Sequence, residues 1–117
     1  MTLVGYYVVP PSQLEITGGD VYSDQQTIGL QCRVRAFPQL SIVWYLRDSS
    51  MGRLLLTSSR VLISHNFAIE NGEPFFMSEL HISNVSVSDS GDYVCAASAT
   101  GHSIDQMGVH SLTVTRK

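Results

Sequence analysis

Asp89-Ser90-Gly91-Asp92-Tyr93-Val94-Cys95 opens on turn formers and runs into an alternating apolar pattern that ends at a cysteine. Asp, Ser and Gly favour a turn, and alternation with period two marks a half-buried strand. Tyr93, Cys95 and Ala97 then share the inward face. The other cysteine lies in a second alternating run, in which Ile28, Leu30, Cys32 and Val34 share a face. Trp44 follows in a third, between Ile42 and Leu46. Three apolar strand faces carrying two cysteines and the one tryptophan are the frame on which the rest of the chain is read.

The same two signals divide the remaining sequence. An extended edge segment from Leu3 ends at Pro10-Pro11, where a missing donor is tolerated. It resumes over Gln13 to Thr17 and turns at Gly18-Gly19-Asp20. Strands are expected over 27–35, 41–47, 53–57, from Arg60 onward, and over 75–83, 92–99 and 107–115. Ala36 to Gln39 reads as a loop and Asp48 to Gly52 as a turn. Asn71-Gly72, between two strand-like runs, is a strong signal for a two-residue hairpin. Leu80, Ile82, Val85, Leu112 and Val114 complete the inward set. No repeat or low-complexity tract occurs.

With 117 residues, 44% of them hydrophobic and 15% charged, the chain suits one folded domain. The expectation is one domain over residues 1–117, a piece of a larger multidomain protein. Seven Lys and Arg against ten Asp and Glu, with no basic cluster, argue against nucleic acid as a partner. No apolar run approaches the roughly 20 residues that span a bilayer, so membrane insertion by this segment is not expected. The start, Met1 to Tyr7, lacks the charged and apolar regions of a signal peptide. Two cysteines allow one intramolecular bridge. Such a bridge would stabilise by roughly 4 kcal/mol and implies an oxidising compartment.

Leu30-x-Cys32, Ile42-x-Trp44-Tyr45, Ser59-Arg60-Val61-x-Ile63, Leu80-x-Ile82-x-Asn84-Val85, the Asp89 to Cys95 stretch and Leu112-x-Val114 together resemble the I-set (intermediate) class of the immunoglobulin superfamily. The resemblance covers nearly the whole chain. It implies an all-β, two-sheet antiparallel sandwich with Cys32 and Cys95 bridging the sheets and Trp44 packed on the disulfide. It makes Tyr93 the tyrosine corner, and Arg60 with Asp89 the ion pair at the base. Two features depart from the pattern. Ala99 stands where the class often has Asn, and Gly101 comes one residue early. The stretch from Arg47 to Phe75 is long and the cysteine spacing approaches that of variable-type domains, which leaves room for a further strand. Members of the class are mostly tiles of adhesion molecules, receptor ectodomains and muscle filaments.

Catalysis is not expected: no serine sits in a Gly-x-Ser-x-Gly elbow, and no Gly-rich loop precedes a Lys. His65, His81, His102 and His110 are dispersed, without HxH or HExxH spacing, so neither a metal nor a cofactor is expected. Asn84-Val85-Ser86 is the only N-glycosylation sequon. Strand parity supplies the functional expectation. If Ile42, Trp44 and Leu46 face inward, Val43, Tyr45 and Arg47 face out. The same parity turns Val94, Ala96 and Ser98 outward on one neighbouring strand, and Val109, Ser111 and Thr113 on the other. Apolar patches mark interaction sites, and Tyr and Arg are favoured binding residues.

The expected function is therefore protein–protein recognition in an extracellular or cell-surface protein. It would act through this face, centred on Tyr45 with Val43 and Ala96, against another immunoglobulin-type domain. Two alternatives stand beside it. One is a mechanical or spacer tile of a cytoplasmic, sarcomeric filament protein. The other is a variable-type domain binding through its loops; the segment Thr100 to Gln106 has no aromatic, which argues against that reading.

Overall fold

The computed structural model describes residues 9–37, 41–47, 52–98 and 106–116. Nine strands lie in chain order: β1 (Val9–Gly18), β2 (Val21–Ser23), β3 (Ile28–Phe37), β4 (Ser41–Arg47), β5 (Gly52–Leu54), β6 (Val61–Glu70), β7 (Glu73–Ile82), β8 (Gly91–Ser98) and β9 (Gln106–Thr115). They form a four-stranded sheet, β1-β3-β7-β6, and a five-stranded sheet, β2-β9-β8-β4-β5. All pairings are antiparallel except β2 with β9, which is parallel.

Alternation builds the core between the sheets. Ile28, Leu30, Cys32 and Val34 of β3 and Leu80 and Ile82 of β7 point in from one sheet. Ile42, Trp44 and Leu46 of β4, Tyr93, Cys95 and Ala97 of β8, and Leu112 and Val114 of β9 meet them from the other. Cys32 and Cys95 are bonded across the gap, with Cα atoms 6.4 Å apart. Trp44 is fully buried, and its indole Nε1 donates to Ser78 Oγ at 2.9 Å. Val85 closes one end of the core.

The first strand is where sequence and structure differ most. β1 does not stop at Pro10-Pro11 but runs through them, pairing with β3 under register shifts on both sides of Ser12. The two prolines cannot donate, so the ladder adapts by bulging. At Gly18 (φ 155°) the chain leaves this sheet. A Cβ there would meet Leu30 Cδ2 at 2.4 Å and Gly29 O at 2.7 Å, so only glycine fits. β2 then joins the opposite sheet beside β9, a strand that its three-residue length hides from periodicity.

The chain continues as strand through Ala36 and Phe37, where a loop is expected, because Phe37 pairs with Val9. β5 covers 52–54 rather than 53–57: at Leu55 the chain dives into the core, its N–H donating to Trp44 O at 2.8 Å. Among the described residues no further strand intervenes between β5 and β6. The hairpin falls at Asn71-Gly72, with φ 53° and 79°, the positive values that a type I′ turn requires.

Candidate protein-binding face

Cross-strand register sets the outward side chains of the five-stranded sheet in rows. One row runs Leu54, Tyr45, Val94, Val109 across β5, β4, β8 and β9. The next runs Val43, Ala96, Met107, and a third runs Arg47, Asp92, Ser111. Two rows are apolar apart from the Tyr45 hydroxyl. The third is polar, with Ser111 Oγ donating to Asp92 Oδ1 at 2.7 Å and Arg47 3.9 Å from Asp92 Oδ2.

Parity and exposure part company on β8. Val94 and Ala96 face outward, yet only 4% and 2% of their surface is exposed. They are short side chains on a central strand, flanked in register by the longer Tyr45 and Val109 and by Val43 and Met107. The expected contact role of Val94 and Ala96 is therefore corrected: they form the floor of the face. Its exposed apolar atoms come instead from Leu54, Met107 and Val109, beside half-buried Val43 and Tyr45. Ser98, half-buried, pairs with Ser41 at the far end of the face. The loop over 99–105, with His102, lies outside the described residues.

At the base of the sandwich Arg60 meets Asp89 through both nitrogens, Nη1 to Oδ2 at 3.3 Å and Nη2 to Oδ1 at 3.2 Å. Asp89 is buried and Arg60 half-exposed. Arg60 also donates to the Ser83 and Asn84 carbonyls, at 3.2 and 3.3 Å. Asp89 Oδ2 takes the Ser86 N–H at 2.9 Å, and its carbonyl takes the Tyr93 hydroxyl at 2.5 Å. Hydrogen bonding to Asp89 raises the Arg60 pKa. Burial, reinforced by the nearby Asp89 charge, pushes the Tyr93 hydroxyl well above its ordinary value. Asn84 is exposed, in left-handed backbone at φ 50°. Among the described residues no three His, Cys, Asp or Glu converge as a metal site, and no helix is long and apolar enough to cross a membrane.

No relative among the curated proteins matches the chain. Among solved structures it is similar to "Chimeric titin Z1Z2 functionalized with a KLER exogenous peptide from decorin", at 21% identity and a TM-score of 0.66. That match covers 96% of this chain and 100% of the other, a likeness of fold. The model of the immunoglobulin I-set domain, a family that is generally non-catalytic, matches residues 12–114. The chain belongs to the immunoglobulin I-set family.

Proposed function

We propose that this domain is a protein-recognition tile of a cell-surface or secreted protein, docking another immunoglobulin-type domain through the outer face of β9, β8 and β4. The observation that carries the reading is the apolar pair of rows, with exposed Leu54, Met107 and Val109 arranged in register around Tyr45. A flat apolar centre with an amphipathic aromatic and a charged row at one border, Arg47 and Asp92, has the anatomy of a protein interface. The Cys32–Cys95 disulfide supports an oxidising compartment. In that compartment the exposed Asn84 is a candidate site for a glycan. A spacer tile inside the cell is the second reading, and the similarity to a titin chimera is compatible with it.

Sedimentation velocity over a concentration series, on wild type and Tyr45→Arg, tests the proposal. Self-association weakened about five-fold or more by the substitution is the expected homophilic outcome, since truncating a central interface residue costs upward of 1 kcal/mol. Association that Tyr45→Arg leaves unchanged removes this face from the homophilic contact. A strict monomer restricts the face to a different partner, and binding of the isolated domain to cells, lost in Tyr45→Arg, is then the deciding measurement.

A further inference from the structure

Asn71-Gly72 is the one Asn-Gly step in the sequence; the other asparagines, Asn66 and Asn84, precede Phe67 and Val85. It forms the tip of the β6–β7 hairpin, beyond the last paired residues, Glu70 and Glu73. Both tip residues are exposed, and a Cβ added at Gly72 would meet nothing within 4 Å. Among the described residues neither the Gly72 N–H nor the Asn71 carboxamide has a hydrogen-bond partner. The turn type accounts for this: in a two-residue I′ loop the ladder is held by the flanking residues, and the central pair turns to solvent.

The Gly72 nitrogen and Asn71 Cγ are the two ends of a five-membered ring. A side chain on the second residue obstructs its closure, and glycine has none. Phe67 and the β-branched Val85 crowd the corresponding nitrogens after Asn66 and Asn84. Closure also turns the Asn71 backbone out of the I′ geometry. That opening falls at the exposed tip of a hairpin whose strand β6 is outermost in its sheet, where local unfolding costs least.

We propose that Asn71-Gly72 is a self-modifying site, which takes up water, releases ammonia and loosens the β6–β7 hairpin. The Gly72 nitrogen bonds to Asn71 Cγ, the Cγ–Nδ2 bond breaks, and the Nδ2 amino group leaves as ammonia with the Gly72 amide proton. Water then opens the cyclic imide. Addition at Cγ breaks its new bond to Gly72 and gives aspartate on the original backbone. Addition at the Asn71 carbonyl carbon breaks the C–N bond there, and the chain then runs through Cγ as isoaspartate. Either way the hydroxyl stays on carbon and a proton returns to the Gly72 nitrogen. Aspartate sets a third carboxylate between Glu70 and Glu73, whose partners Arg33 and Arg35 are already engaged. Isoaspartate adds a methylene to the main chain, so the loop no longer matches the I′ geometry that pairs Glu70 with Glu73.

Incubating the purified chain at neutral and at mildly alkaline pH, with mass spectrometry resolved to the residue, tests this. Asn71 is expected to gain about 1 Da, about ten-fold sooner than Asn66 or Asn84. The gain should be faster at the higher pH, because the attacking nitrogen must shed its proton. The aged chain should accept methyl groups from an isoaspartyl methyltransferase. Asn71→Gly, which keeps a residue suited to positive φ, should remove that acceptance. Hydrogen exchange at the Glu70 and Glu73 amides should be faster in the aged chain than in the fresh one. Conversion at Asn71 no faster than at Asn66 or Asn84, methyl acceptance undiminished in Asn71→Gly, or unchanged exchange at Glu70 and Glu73 would each overturn the proposal.

Discussion

Asp89 shows how one buried carboxylate can organise the end of a sandwich. It fixes the Arg60 fork, the Ser86 N–H and, through its carbonyl, the Tyr93 hydroxyl. Tyr93 has the sharper consequence. Its hydroxyl titrates above the value of about 10 that it has in the unfolded chain. Above that pH the unfolded state loses a proton that the folded state keeps, so stability falls as pH rises. Below pH 10 the contribution is fully present. Urea midpoints measured between pH 8 and 11 should therefore drop on the alkaline side, and Tyr93→Phe should flatten that limb while lowering stability at neutral pH. The Arg60–Asp89 contact was legible because both residues sit in quoted family patterns. The Trp44–Ser78 bond was not: a serine at an inward position between Phe76 and Leu80 reads as a break in the pattern. The buried indole N–H explains it, since an unpaired one is costly.

At the scale of strands, alternation located the central elements and failed at the margins. β4 has the bounds read from sequence, and the Asn71-Gly72 hairpin falls where its turn chemistry put it. β2 and β5 are three residues each, too short for a period to show. Leu54 was missed for that reason: nothing in a run so short tells which side chain faces out. Met107 was available from the parity of β9, and Val94 and Ala96 were assigned the right side, but parity does not say how much a neighbour covers. Gly108 is a further case. It faces inward on β9, and a Cβ there would sit 2.5 Å from Leu14 Cδ2, so β1 crosses over the missing side chain. Gly108→Val should cost about 1–3 kcal/mol by overpacking, measured by urea unfolding. Adding Leu14→Ala should recover part of the loss.

For the molecule as a whole, the disulfide is the one covalent tie between the sheets, joining β3 to β8 across a separation of 63 residues. Reduction is expected to lower unfolding free energy by roughly 4 kcal/mol in the chain-entropy view. Denaturation with and without dithiothreitol, followed by Trp44 fluorescence, measures it. The sandwich was legible because the inward residues of three strands had to face something, and cysteines on two of them supplied the tie. The proposed binding face was legible only in part, because it depends on which neighbours cover which side chains.

The bulged, proline-bearing β1 has an arithmetic consequence. Among the described residues the sheet margins are β1, β2, β5 and β6. Two of these are three residues long and one carries two prolines that cannot donate, so three of the four margins give a neighbouring chain too little ladder to extend, and the fold resists edge-to-edge growth into a fibre.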